Sequence, residues 1–312
     1  MSSSHIHPKI RYCLEATAEE RINYIRRDRF IPYARGEAIL AEIATIMATP
    51  VGVRARCSLL IGAPGMGKTS ILDFAERLYV KCPQDRSRRG GLVRINLPQI
   101  VNDRRLLYAR ILKYLGMPFR IADKPEFLHE QAIDALRDTE TRALALDEFH
   151  NFLGPKMTHL PEHMVALRDI ANIPVSIIGA GINSVEACVL ADDQLEQRFT
   201  RHWLTPWEET EELRNFLATL ESRLPLKLPS NLAGPELLPL LVRCSNGHMR
   251  RMINLIRLAA EWAVIRGIER ITADLLREAL QELSRTSQHY GEKSMAGRAG
   301  HGAPTVEEVH HA

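Results

Sequence analysis

Residues 62–69 read Gly62-Ala63-Pro64-Gly65-Met66-Gly67-Lys68-Thr69, a GxxxxGK[ST] pattern, with Ser70 following in the same stretch. The chemistry this implies is capture of a nucleoside triphosphate. Glycines let successive backbone N–H groups close around a β-phosphate where side chains would obstruct it, and a helix opening near Gly67 turns its positive end toward the anion. Lys68 has the reach for the β and γ oxygens, and the Thr69 hydroxyl suits Mg²⁺. Gly62 to Ser70 are therefore the expected nucleotide-binding residues.

About eighty residues on, the apolar run Ala143-Leu144-Ala145-Leu146 ends in Asp147-Glu148. A buried strand that releases two acids at the carboxyl edge of a parallel sheet is a Walker B strand. It puts Asp147, with Thr69, beside the metal, and leaves Glu148 to orient and polarise an attacking water. Lys68, Asp147 and Glu148 form the expected catalytic set.

These residues need a scaffold, and the pattern supplies an α/β one. Cys57 to Ile61 reads as a buried strand before the glycine loop, and the amphipathic Ser70 to Val80 as the helix after it. A helix over Gly36 to Met47 stops at Pro50. A strand over Gly91 to Asn96 follows a polar connector from Pro83 to Gly90. Next come a helix from about Asp103 to Leu115, ended by Gly116, and another from Pro125 to Arg137. A helix around Glu162 to Ile170 and a strand over Pro174 to Gly179 complete the alternation, which calls for right-handed crossovers and a parallel central sheet flanked by helices. Beyond Trp207 only helices are expected, near Glu208–Arg223, Gly234–Arg243, His248–Arg266 and Thr272–Arg285. The expected domains are a basic arm over 1–34, a nucleotide-binding unit over 35–206, a helical lid over 207–285 and a disordered tail over 286–312.

At 312 residues with 45% hydrophobic content the chain has ample material for a core and a smaller second unit. Five scattered cysteines (Cys13, Cys57, Cys82, Cys188, Cys244) form no C-x-x-C pair, which argues against a zinc site or a disulfide framework and for a reducing cytoplasm. No apolar run is long enough for a membrane span. The net charge of +3 hides an asymmetry: eight basic residues against two acids from Lys81 to Arg110, and nine acids against three arginines from Glu186 to Glu221. Faces of opposite sign suit head-to-tail association or a nucleic-acid groove. His159 and His163 are spaced as metal ligands can be, but Pro161 lies between them and both are expected at the surface.

The order of these parts, followed by an Arg-Phe step and a helical lid carrying Gly-x-x-Arg, resembles that of AAA+ ATPases, and within them the chain closely resembles the TniB family, the TnsC-like ATPases of bacterial transposons. The resemblance runs from about Arg21 to Leu283. Its most specific pieces are Asp147-Glu148-Phe149-His150-Asn151-Phe152-Leu153, Gln194-Leu195-Glu196-Gln197-Arg198-Phe199, and Leu224-Pro225-Leu226-Lys227-Leu228-Pro229-Ser230-Asn231-Leu232. It implies an ATPase that uses ATP and Mg²⁺ to assemble head to tail on double-stranded DNA, without regard to sequence, and hands that target to a transposase, with or without an accessory target-selection protein.

The resemblance also assigns residues. Arg198 is implied as an arginine finger acting on the next subunit's nucleotide, with Arg201 second and pairing of Arg198 with Glu196 or Asp192 as the alternative. Arg250 or Arg251 is implied as the lid arginine that points back at the nucleotide. Relatives carry a polar residue just after the fourth strand where this chain has Gly179-Ala180-Gly181, leaving Asn183 or Ser176 as poor substitutes. Arg104 and Arg105 fall where relatives contact the duplex backbone; arginines in a first helical turn oppose the helix dipole, so phosphate binding would explain them, with pairing to Asp103 as the alternative. A loader or remodeller acting on a replication protein is the competing reading, and a monomeric signalling switch a third.

Overall fold

The computed structural model describes residues 5–50, 55–80, 91–99, 101, 103–153 and 160–285. The expected connector at Pro83–Gly90, the basic residues Lys81, Arg86, Arg88 and Arg89, the loop at Gly154-Pro155, His159 and the tail over 286–312 lie outside them.

The elements run α1 (Ala18–Arg26), α2 (Ala34–Ala48), β1 (Cys57–Gly62), α3 (Lys68–Tyr79), β2 (Leu92–Asn96), α4 (Arg105–Leu115), α5 (Pro125–Asp138), β3 (Ala143–Asp147), α6 (Leu160–Asn172), β4 (Ser176–Gly181), α7 (Val185–Leu190), α8 (Asp193–Glu196), β5 (Phe199–Leu204), α9 (Glu211–Glu221), α10 (Leu237–Ser245) and α11 (Met249–Ile265). A further helix covers 273–285. By contact the chain forms two compact units. One holds Asp28–Trp207 with His248–Arg250. The other holds the described residues up to Arg27, Glu208–Gly247 and those from Arg251 on.

The first unit is built on one parallel sheet in the order β2-β3-β4-β1-β5. Its three inner strands are buried along their whole length, as strands covered on both faces must be, and so read as unbroken apolar or small-residue runs. β5 is different. As an edge strand its middle residues Thr200 to Trp203 are exposed or half-buried, so Phe199-Thr200-Arg201-His202-Trp203-Leu204 gives no continuous apolar signal and is not among the strands expected from sequence. β4 starts two residues later than expected and runs on to Gly181. Gly116 closes α4 in the left-handed conformation (φ 75°), and Pro125 opens α5, where its missing N–H costs nothing.

The second unit is helical. Leu213, Phe216 and Leu217 of α9, Leu238 and Leu241 of α10, Met252, Ile256 and Ala259 of α11, and Leu276 are buried. The first 34 residues, expected as one basic arm, divide instead. A 3₁₀ helix over Pro8–Glu15 and α1, which opens with a Thr17–Glu20 capping box, belong to this unit. Arg21 is buried there: it donates to Glu269 Oε1 (2.9 Å) and twice to the Pro225 carbonyl (3.0 and 2.7 Å). Arg26 meets Glu261 at 2.7 Å. The Leu224–Leu232 stretch has a structural explanation, since the Glu221 carboxylate accepts from the backbone N–H groups of Ser230, Asn231 and Leu232 at 2.7–2.9 Å.

Candidate nucleotide site

β1 and β3 deliver the two motifs to the same carboxyl edge of the sheet, with β4 between them. The loop from Ala63 to Gly67 bends through Gly65 (φ 80°) and Gly67 (φ 92°), where a side chain would be strained. Gly67 then caps α3, leaving Lys68, Thr69 and Ser70 in its first turn; the helix's first N–H groups have no intrahelical partner and are available to an anion. Lys68 is buried, and its ammonium donates to the carbonyls of Gly62 (2.6 Å) and Ala63 (2.9 Å). Burial lowers its pKa, against the opposing charges of Glu148 and Asp147, so these carboxylates act on the same locality as the lysine. Thr69 and Ser70 are exposed, Pro64 is exposed and Met66 is buried beneath the loop.

Asp147 is 2% exposed. Its Oδ1 accepts the Glu148 N–H at 3.0 Å, and its Oδ2 lies 3.3 Å from Arg94 Nη2. Arg94, counted in the sequence among surface-type basic residues, points inward from β2 and also meets Asp73 and Glu76 of α3. Glu148 holds φ at +57°, a conformation a non-glycine residue adopts only under constraint, and its side chain is 45% exposed. The buried cation, the two left-handed glycines, the exposed Thr69 hydroxyl and the buried Asp147 carboxylate fit a Mg²⁺–nucleoside triphosphate.

The glycines of β4 answer to packing. A Cβ at Gly179 would stand 2.6 Å from Phe149 Cδ1, and one at Gly181 would stand 3.2 Å from His150 Nδ1. Both rings belong to the 3₁₀ turn Phe149–Leu153 that follows Glu148. Of the two substitute polar residues, Ser176 starts β4 at the opposite edge, and Asn183 is exposed two residues past the strand's carboxyl end.

Arg250 comes to the loop. Its backbone N–H donates to the Gly65 carbonyl at 2.9 Å, and Gly65 faces its Cβ. Arg251 groups with the helical unit and is exposed.

Arg198 is placed elsewhere. It directly precedes β5, and its carbonyl accepts the N–H of Cys57, the first residue of β1. β1 spans five residue steps, so about 16 Å of strand separates that edge from the phosphate loop. Its guanidinium donates to Ala171 O (3.0 Å) and Asn172 Oδ1 (3.1 Å), at the end of α6. It pairs with neither Glu196 nor Asp192; Arg201 instead meets Glu186 and Glu196.

Arg104 and Arg105 sit at the start of α4, each with a carboxylate: Arg104 with Glu126 and Arg105 with Asp103. Asp103, one residue before the N-cap Arg104, also accepts the Arg105 N–H, which puts a carboxylate at the helix's positive end and offsets the dipole cost that the sequence left unexplained. Burial works against the Asp103 carboxylate, but these bonds and charges bring its pKa below the ordinary value. His163 is a correction. It is wholly buried, with Nε2 3.0 Å from the Val101 carbonyl and its ring against Phe152. Pro161 falls in the first turn of α6, where it does not interrupt the helix.

A parallel sheet with β4 inserted between the two motif strands, and a helical unit after it, is the AAA+ fold. Solved structures agree at the level of fold: the ORC2 protein of Aeropyrum pernix (TM-score 0.61, 18% identity, 83% of this chain and 71% of that one), Cdc6p of Pyrobaculum aerophilum (0.58, 17%, 83% and 70%) and the ORC1 protein of Aeropyrum pernix in complex with DNA (0.55, 18%, 85% and 69%). No curated protein sequence matches. The family model for the bacterial TniB protein matches residues 21–209, and the chain belongs to the TniB family. Among the described residues no helix is long and apolar enough to cross a membrane.

Proposed function

We propose that this chain binds ATP between neighbouring subunits, hydrolyses it to ADP and phosphate, and in its ATP-linked, head-to-tail form holds duplex DNA as a target for a transposase. The carrying observation is the separation of the parts: Lys68, Asp147 and Glu148 belong to one edge of the sheet, while Arg198 stands at the other, about 16 Å of strand away. An arginine there cannot serve its own phosphate loop. It is available to a neighbour's, so turnover becomes conditional on assembly.

Within one pocket Lys68 exchanges its two carbonyl partners for the β and γ oxygens, and the loop N–H groups hold the β-phosphate. Thr69 and Asp147 would hold Mg²⁺, which neutralises charge on the phosphate oxygens. Glu148 accepts a proton from water as the water oxygen bonds to the γ-phosphorus and the bond to ADP breaks. Arg198 of the adjoining subunit offsets the charge that develops, and Arg250, bonded to Gly65 through its backbone, is the lid arginine for the same pocket. The TniB membership supports the transposon role.

Sedimentation with duplex DNA, with and without a non-hydrolysable ATP analogue, tests this. Assemblies should form on DNA only with the analogue and should persist with Glu148→Gln in ATP. DNA binding that ignores nucleotide would overturn the reading.

A further inference from the structure

Three observations converge on His150. Its Nε2 lies 3.5 Å from Glu148 Oε2. Its Nδ1 is buried with no hydrogen-bond partner. The ring also occupies space that β4 leaves open: a Cβ at Gly181 would come within 3.2 Å of Nδ1, and within 3.0 Å of the Val185 Cβ that closes the other side.

Glu148 needs such a neighbour. Its backbone is held at φ +57°, its side chain is 45% exposed, no hydrogen bond to its carboxyl is present among the described residues, and His150 Nε2 approaches that carboxyl at 3.5 Å. An exposed glutamate on a strained backbone has many rotamers, whereas a general base must stay within hydrogen-bond reach of its water. We infer that His150, seated against Gly181, is the positioning residue that fixes the Glu148 carboxylate for proton abstraction. This rests on the ATPase reading above.

The chemistry of the ring suits the task. Burial lowers the His150 pKa and Lys68 acts in the same sense, while Glu148 and Asp147 oppose them. These influences together favour the neutral ring. A neutral imidazole that donates from Nε2 orients the carboxylate without taking away its basicity; an imidazolium would hold the proton-accepting charge in an ion pair.

The test uses the full chain with duplex DNA and compares wild type, His150→Ala, His150→Asn and Gly181→Ala, each also in the Glu148→Gln background. Binding of a fluorescent ATP analogue and the thermal midpoint are measured beside turnover. His150→Ala should lower kcat at least tenfold and leave analogue binding within about twofold of wild type. His150→Asn, which keeps a donor, should recover part of the loss. Gly181→Ala leaves His150 in the sequence but crowds Val185 (3.0 Å) and the ring (3.2 Å), and should lower kcat by less than His150→Ala does. In the Glu148→Gln background the same changes should have no further effect, because a residue that acts through Glu148 has nothing left to position. Equal losses in both backgrounds, or wild-type turnover in His150→Ala, would overturn the inference. Absence of turnover in wild type itself, with DNA and ATP present, would instead overturn the ATPase reading.

Discussion

Arg94 Nη2 lies 3.3 Å from Asp147 Oδ2, which joins β2 to the acid that ends β3. The same guanidinium also meets Asp73 and Glu76, and Tyr114 of α4 donates to Glu76 at 2.7 Å. One cation thus balances three carboxylates, of which Asp147 is the least exposed at 3% of its side chain.

Removing that cation should be costly. Arg94→Ala leaves three like charges facing one another with one of them buried, and a loss of about 3 kcal/mol is expected in urea unfolding. Asp73→Asn should cost under about 1 kcal/mol, because Asp73 is 40% exposed and solvent screens it. If the two variants unfold alike, Arg94 is not what holds Asp147.

Lys68→Ala should separate binding from stability. The ammonium is buried against two carbonyls and burial lowers its pKa, so the folded protein bears a desolvation cost that truncation relieves. Affinity for an ATP analogue should fall more than about a hundredfold while the thermal midpoint stays level or rises. Unchanged affinity would move the nucleotide to another site.

Arg198→Ala should leave analogue binding intact and suppress DNA-stimulated turnover by about a thousandfold. Mixed with Lys68→Ala protein, it should regain part of the activity, because some interfaces then combine an intact pocket with an intact arginine. No recovery in verified mixed assemblies would place the arginine's action within its own subunit.

How much of this was legible depends on what each residue faces. β1 and β3 were plain in the sequence because both sheet faces cover them, and their apolar runs end where the motifs begin. β5 was not, because its four middle residues are exposed or half-buried. Arg94 reads as one more surface arginine; only the pairing of β2 with β3, which aligns Asn96 with Asp147, turns it into a partner of that acid. His163 misled for a local reason, since Pro161 looks like a break but falls in the first turn of α6. The arginines of residues 21–27 look like a basic arm one at a time, whereas Arg21 and Arg26 find Glu269 and Glu261 more than 230 residues away, beyond any local pattern.

The Arg21–Glu269 contact makes a pH prediction. Burial alone would raise the Glu269 pKa, but Arg21 and the Lys227 N–H bond to the carboxylate and bring it below the ordinary value. A depressed carboxylate adds stability that is present above the unfolded value and lost as pH falls through the folded one, so the window lies on the acid side of about 4.3. Glu269→Gln should be less stable than wild type at pH 7, and the gap should close as pH drops below that value. A gap that is constant with pH would mean that the hydrogen bonds matter and the charge does not.

Arg104 and Arg105 allow a test of the DNA face that takes their present partners into account. If each neutralises one phosphate, replacing both with Ala removes about two released counterions per subunit, and the slope of log affinity against log salt should fall by roughly 1.8. The loss should be alike for unrelated sequences, because phosphate contacts carry no base information. Arg104 must first leave Glu126, which sits 2.6 Å away and is 67% exposed. Glu126→Gln frees the guanidinium without touching it, so DNA affinity should rise in that variant and the rise should vanish once Arg104 is replaced. Asp103→Asn behaves differently: Asp103 accepts the Arg105 N–H just ahead of α4, and an asparagine oxygen can keep that bond, so the turn is kept while the Arg105 guanidinium is released. Wild-type affinity in Glu126→Gln and Asp103→Asn, with a wild-type salt slope in the double alanine variant, would leave both arginines as partners of their carboxylates and move the DNA contact off the start of α4.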